Sequence, residues 1–332
     1  MIIGRLLIES TTYLDSRDGT NRLKKLLVIG VTGLAGSRTV RLAEKQGYEA
    51  WGTYNARSFS APAAVKLDIT DRDATLGLVQ KLRPDVIIDT AALHNVDYCE
   101  THREEADKVN VEGTRALADA ARSTGSRLIF LSTDFVFDGE GAPYTETDLP
   151  NPLDYYAKTK VDAENIVAQL PNYGIARSSV IYGWNPVELT GLPSSSGKTV
   201  NFAMYCLDKF RQGETVGVVN DQYSSPTLAD NLSEALLKLA EYSGSGIFHT
   251  AGRSCLTRYD FAVKIATTFG YSSDFVQPVA TRDLNQMALR PRNSCLSVEN
   301  AEKELGVRFL TADEGLQAMK DQLEREPMIL KA

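Results

Sequence analysis

From residue 25 onward, short apolar runs alternate with amphipathic stretches, and the first run opens directly onto Gly30, Gly33 and Gly36 at three-residue spacing. The runs 26–29, 49–53, 64–67, 86–89, 128–131 and 174–176 read as strands, and 34–46, 72–82, 103–124 and 156–170 as the helices between them. Nearly continuous apolar strands separated by helices are what a parallel sheet covered on both faces requires. The pattern therefore predicts an α/β chain built on a doubly wound, Rossmann-type parallel sheet over 23–182.

Residues 1–22 precede this pattern as an N-terminal extension. A stretch rich in glycine, proline and serine at 183–197 marks the boundary to a smaller C-terminal α/β region, 183–332. In that region helices are expected at 201–211, 228–242, 259–269 and 312–323, with strands at 215–219 and 247–250. The segment around 228–250 is expected to return and pack on the first domain.

The formal net charge of -7 argues against nucleic acid or an anionic membrane as partner, since both ask for a basic surface. No apolar run approaches the roughly eighteen residues of a membrane span, so the cytoplasm is the default compartment. Cys99, Cys206, Cys255 and Cys295 are far apart and form no CxxC pair, so neither a disulfide nor structural zinc is expected. Nothing aligns His94, His102 or His249 with a metal-ligand partner or a nucleophile, and no metal is expected.

The glycine spacing sits between a strand and the mouth of a helix. There it permits a tight turn, lets the backbone approach a pyrophosphate, and aims a helix N-terminus at the anion. Gly30, Thr32, Gly33, Leu34, Ala35 and Gly36 are the candidate dinucleotide cradle. An NAD site usually carries an acidic residue at the end of the second strand, but that place reads Tyr54-Asn55-Ala56-Arg57. Asn55 leaves the ribose 2'-hydroxyl without a carboxylate and Arg57 suits a 2'-phosphate, so NADP(H) is favoured over NAD(H). Asp68 either accepts from an adenine amino group or caps the next helix, a role for which Asp71 competes. Ile69 beside it, and Ala91 and Ala92 after the fourth strand, complete the cofactor side.

Tyr156 and Lys160 stand four residues apart, on one face of a helix, a little over twenty positions after Ser132-Thr133-Asp134. A free phenol titrates near 10 and exchanges protons poorly at neutral pH. The reading of the pair is that the ammonium favours the ionised phenol and lowers its pKa. Thr133, at the C-terminal end of its strand, would hydrogen-bond a substrate carbonyl while Tyr156 gives or takes the proton.

Taken together, the glycine loop, Thr133, Tyr156 and Lys160 resemble the extended short-chain dehydrogenase/reductases. More narrowly, Arg83 to Ile88, Ser132 to Gly139, Pro152 to Glu164, Asp221 to Thr227 and Arg290-Pro291 resemble the dTDP-4-dehydrorhamnose reductase family, from about Lys25 to about residue 324. The resemblance implies reduction by NAD(P)H of the 4-keto group of a nucleotide-diphospho-6-deoxyhexose, with Tyr156 protonating the developing alkoxide. It implies that Asn110 supports a proton relay. It also implies that Asp134, Val136, Arg177, Asn201, Phe202, Gln222 and Arg290 lie along the cofactor or sugar side, Arg290 being best suited to a diphosphate. A homodimer is allowed by it.

The chain departs from the family pattern at Asp89, where asparagine is usual, at Ala157 in place of glycine, and at Val180, near a common tryptophan. The loop Leu93 to Asp97 differs as well. Two other readings share the fold: a nucleotide-sugar epimerase or dehydratase, and a regulatory NADP-binding subunit like the beta subunit of methionine adenosyltransferase. UDP-sugar epimerases commonly carry the acidic residue that Asn55 and Arg57 do not supply, which favours a reductase.

Overall fold

The structure, a computed structural model, describes residues 17–18, 22–56, 63–184 and 201–325, with side chains described from 24 to 323. Its first half runs β1 (Lys25–Ile29), α1 (Leu34–Lys45), β2 (Glu49–Tyr54), β3 (Ala64–Lys66), α2 (Arg72–Leu82), β4 (Val86–Asp89) and α3 (Val96–Thr101). It continues with a helical stretch α4 over 103–124, then β5 (Arg127–Thr133), α5 (Tyr155–Val167) and β6 (Tyr173–Ser178). The second half contributes β7 (Ile181–Tyr182), α6 (Phe202–Arg211), β8 (Val216–Val219), β9 (Tyr223–Ser224), β10 (Thr227–Leu228) and α7 (Ala229–Glu241). It ends with β11 (Gly246–His249), β12 (Leu256–Thr257), α8 (Arg258–Thr268), β13 (Val276–Val279), α9 (Glu299–Leu305) and α10 (Ala312–Arg325).

Seven strands form one sheet in the order β11-β6-β5-β4-β1-β2-β3, and every neighbouring pair is parallel. Side chains alternate across it as strand geometry demands. Leu26 and Val28 enter one core with Val40, Ala43, Leu232 and Leu236 of α1 and α7. Leu27 and Ile29 enter the other with Val79, Leu117 and Val167 of α2, α4 and α5. β11, expected as a short strand at 247–250 in the segment that returns to the first domain, pairs in parallel with β6 and supplies the sheet edge, while α7 packs on α1. A third core, with Trp184, Phe210, Phe261 and Met319, holds the C-terminal elements together.

Capping side chains set several helix starts. Asp71 accepts from the Ala74 amide at 3.0 Å and Asp154 from Ala157 at 2.8 Å, each satisfying a first-turn donor that the helix itself leaves open. The stretch 103–124, expected as one regular helix, is regular over Arg103–Ala106 and Gly113–Thr124 but widens into a π-turn over Asp107–Glu112. Such widenings concentrate at functional positions, and this one contains Asn110.

The expectation of no disulfide is corrected: Cys255 and Cys295 are bonded, with Cα atoms 5.5 Å apart across a separation of 40 residues. Their spacing carried no signal because pairing across strands makes them neighbours. Ser224 lies opposite Leu256 in an antiparallel pair, and Tyr223 bridges to Asn293.

Beneath α5, Arg177 of β6 grips Glu164 of that helix through two bonds of 3.0 and 2.7 Å, with both side chains buried. Arg177, assigned by resemblance to the ligand side, is thus an internal strut. A Glu164→Ala substitution leaves a buried guanidinium without its counter-charge. It is expected to cost about 3–5 kcal/mol of stability, measured by urea unfolding.

Candidate active site

The N-terminal end of α1 has the properties a dinucleotide needs. Gly30 adopts φ +86°, and a Cβ there would lie 3.2 Å from the Ala91 amide nitrogen. A Cβ on Gly36 would overlap the Gly30 carbonyl oxygen and come within 2.7 Å of the Thr90 hydroxyl. The loop is stitched to the end of β2, where the Thr53 carbonyl accepts from Gly30 at 3.1 Å and Val31 at 2.9 Å. Gly33, as N-cap, contributes no side-chain bond, and the first turn holds no acidic residue, so its amides remain available to an anion. Thr32 and Leu34 are half-buried on this loop and Ala35 is buried behind it. These residues fit a dinucleotide pyrophosphate.

Farther along the strand ends, Asn55 is exposed and bonds to Asp68. Burial works against the Asp68 carboxylate, but bonds from the Thr70 amide, the Thr70 hydroxyl and Asn55 outweigh it and hold the carboxyl below its ordinary value. Since Asp71 caps α2, Asp68 is released from that role. The Ile69 side chain, expected at the cofactor, is instead buried against Gly113, where an added Cβ would lie 2.8 Å from its Cδ1. Ala91 and Ala92 stay half-buried beside the glycine loop. Arg57 lies outside the described residues.

Tyr156, on the first turn of α5, faces the end of β5. Burial raises its phenol above the ordinary value, the charges of Asp154 and Asp134 push the same way, and the Thr133 hydroxyl pulls back. The expectation that Lys160 depresses this pKa is therefore corrected. The Lys160 ammonium stands 3.9 Å over the Phe130 ring, within the field of Asp89, and the phenol instead faces two aspartates. Burial lowers Lys160 to about 8 against the opposing pull of Asp89 and Glu164. Asp89 is raised to about 6 by its own burial, despite Lys160 and despite the bond from the Ala91 amide.

Asn110 is buried and fully engaged. Its Oδ1 accepts from the Leu93 amide at 2.8 Å, and its Nδ2 donates to the Leu93 carbonyl at 3.1 Å and to Thr159 Oγ1 at 2.9 Å. Thr159 in turn donates to the Tyr156 carbonyl at 2.7 Å. The side chain thus ties the loop after β4 to the turn of α5 that carries Tyr156, a positioning arrangement.

Several residues expected at the sugar are occupied elsewhere. Asp134 is buried, its Oδ2 accepting from Ser179 at 2.6 Å and Ser294 at 2.5 Å and its Oδ1 from Thr133 at 3.1 Å. The Val136 side chain is enclosed in the core with Phe137 and Tyr144. Arg290 spends its fork on Asp97, with bonds of 2.7 and 2.8 Å, because Asp97 also gathers the Met287 and Ala288 amides and fixes that loop on α3. Asn201 caps α6 and donates to the Gly183 carbonyl at 2.7 Å.

Around a small cavity the arrangement is more open. Phe135, Val180, Gln222, Tyr223, Arg258 and Ser294 are among its lining residues. Phe202 lies under Arg258, whose guanidinium carbon is 5.0 Å from the ring centroid. Val180 holds φ +42°, a costly conformation for a β-branched residue, at the cavity wall. Sequence reasoning passed over Arg258 and Asp154. Thr257 and Asp260 at capping-box spacing marked the helix start beside Arg258. No sequence signal marked Asp154, whose carboxyl burial raises to about 7 and whose Oδ2 is buried without a partner among the described residues.

A parallel seven-stranded sheet with a glycine cradle at α1 and the Thr133, Tyr156, Lys160 set on β5 and α5 defines an extended short-chain dehydrogenase/reductase. Residues 24–325 match the RmlD substrate binding domain, and the chain belongs to that family. It is 33% identical over 297 residues to Agl14 of Haloferax volcanii, named a probable low-salt glycan biosynthesis reductase, covering 88% of this chain and 96% of the relative. It is 32% identical to dTDP-4-dehydrorhamnose reductase of Aggregatibacter actinomycetemcomitans, over 86% and 95% of the two chains. Methionine adenosyltransferase 2 subunit beta of Danio rerio is also 32% identical, over 84% of each. Among solved structures, the dTDP-4-dehydrorhamnose reductase of Bacillus anthracis in complex with NADP superposes with a TM-score of 0.78 at 27% identity, over 90% of this chain and 99% of that one. The Clostridium acetobutylicum ortholog gives 0.78 at 31%, with the same coverage.

Asp89→Asn, which restores the family's usual residue, removes the charge that supports the buried ammonium. The titration of Lys160, followed by ¹³Cε NMR on labelled lysine, is expected to move down from about 8 by about one unit. Because the folded pKa lies below the unfolded one, the contribution of Lys160 to stability is least favourable below about pH 8 and improves above it, as the folded state sheds the proton first. In the variant that improvement begins at a lower pH.

Proposed function

We propose that this chain reduces the 4-keto group of a nucleotide-linked 6-deoxyhexose, as a dTDP-4-dehydrorhamnose reductase does, with NADPH favoured over NADH. The observation that carries the reading is a half-buried phenol kept neutral at the C-terminal end of β5, beside the Thr133 hydroxyl. A neutral phenol is the form that gives a proton, which is the need of a carbonyl being reduced. The absence of a carboxylate at Asn55 supports NADPH.

When bound, the reduced nicotinamide supplies the hydride. Gly30, Gly33 and Gly36, with the open amides of α1, hold the pyrophosphate, and Asp68 and Asn55 lie along the adenosine side. Tyr156 delivers the proton to the carbonyl oxygen, with the Thr133 hydroxyl, held by Asp134, beside the phenol. Lys160, lowered to about 8, stands one helical turn further along α5, over the Phe130 ring and in the field of Asp89. Asn110 keeps α5 in register with the loop after β4. A cytoplasmic location suits a nucleotide-sugar substrate, and among the described residues no helix is long and apolar enough to cross a membrane.

The similarity to methionine adenosyltransferase 2 subunit beta gives a second reading, a subunit that binds the cofactor and acts on a partner. Turnover separates the two. With dTDP-4-keto-6-deoxy sugars, wild-type protein is expected to oxidise NADPH, and Tyr156→Phe to lose roughly 10²–10⁴-fold in rate. Full activity in that variant, or no turnover of any nucleotide-linked ketosugar by the wild type, contradicts the proposal.

A further inference from the structure

Two guanidinium groups approach the sugar side of the site, and they are in different states. Arg290 has its fork filled by Asp97 at 2.7 and 2.8 Å and donates again to the Ala288 carbonyl at 2.7 Å. Arg258 lines the cavity next to Gln222, Tyr223 and Ser294, stacked on Phe202. Its backbone amide donates to the Gln222 carbonyl at 3.0 Å. Its guanidinium has no hydrogen-bond acceptor and no ion pair among the described residues, whereas Arg177 and Arg290, also largely withdrawn from solvent, are both paired.

The surroundings do not neutralise it. Asp134 reaches Arg258 through its field alone, because both carboxylate oxygens are taken by Ser179, Ser294 and Thr133. Burial and the like charge of Arg290 both disfavour the Arg258 cation. A partly desolvated guanidinium over an aromatic ring, without a partner among the described residues, is costly unless a ligand completes it, and its planar fork matches phosphate oxygens. The first turn of α8, which begins at Arg258, adds a dipole of the same sign.

We infer that Arg258, stacked on Phe202 in the wall of this cavity, is the residue that receives the diphosphate of the nucleotide sugar, in place of Arg290. The inference rests on the nucleotide-sugar reading above for the identity of its ligand. Phe202 is then the platform that holds the fork, and Gln222, bonded to Thr281 at 3.0 Å and Gln286 at 3.2 Å, fixes the neighbouring wall.

The test is calorimetric titration of the full chain with dTDP, with sodium pyrophosphate and, separately, with NADPH, for wild type, Arg258→Lys and Arg258→Gln. Arg258→Gln is expected to weaken dTDP and pyrophosphate by about tenfold or more while NADPH affinity stays that of the wild type. Arg258→Lys, which keeps the charge but loses the fork, is expected to fall between them. The inference is overturned by a Gln variant that binds dTDP as wild type does, by NADPH affinity falling in parallel with that for dTDP, or by wild-type protein that binds neither dTDP nor pyrophosphate. If the Gln variant does not fold, the Lys variant decides: weakened dTDP binding with unchanged NADPH supports the inference, and unchanged dTDP binding overturns it. A wild type that binds dTDP through Arg258 yet reduces no ketosugar leaves this assignment standing and removes the proposed reaction.

Discussion

A single carboxylate, Asp134, joins the pieces of chain that must meet for the site to exist. It lies just past β5 and accepts from Thr133 on that strand, from Ser179 after β6 and from Ser294 in the C-terminal region, 160 residues away. Ser179 also receives the Ser225 amide at 3.2 Å, and Thr227 donates to the Ser179 carbonyl at 2.6 Å, so the junction extends into β10. Burial raises the Asp134 carboxyl, and three hydroxyl donors hold it back. A buried acid with this many donors fixes geometry, because no alternative arrangement satisfies all of them.

That junction also sets the electrostatics of the chemistry. Asp134 and Asp154 are the charges that, after burial, hold the Tyr156 phenol in its neutral form. Lys160 is buried on the other side, over Phe130 and near Asp89, where its own proton is loosened to about 8. The pair of residues therefore divides the work differently from a simple ammonium–phenolate pair. On the proposed reading the phenol is the proton donor that faces the carbonyl, while the lysine is lowered to about 8. The price in stability is two buried ionisable groups, Asp89 and Lys160, whose charged forms are each disfavoured by their surroundings.

Local features were legible in the sequence where chemistry is encoded by neighbours along the chain. The glycine spacing after β1, the apolar runs of the sheet and the four-residue step from Tyr156 to Lys160 all act within one strand or one helical turn. Pairings made by distant segments were not legible. Arg290 meets Asp97 across 193 residues, Cys255 meets Cys295 across 40, and Asn110 reaches Thr159 across 49. Val136 and Ile69 stand beside motif residues but bury their side chains in the core, Val136 from a short 3-10 turn and Ile69 from the turn before α2. Arg258 carried no motif at all. What distinguishes it is a guanidinium with no partner among the described residues, which only the assembled fold reveals.

Net reduction of a sugar carbonyl, with Tyr156 supplying the proton, is tested most directly by NMR of the sugar recovered after incubating dTDP-4-keto-6-deoxyhexose with NADPH deuterated at the transferable position of its nicotinamide. Stoichiometric oxidation of the cofactor and deuterium at C4 of the product are expected. A sugar recovered unlabelled with the cofactor still reduced, or an epimerised ketosugar formed without net oxidation of NADPH, would contradict net reduction.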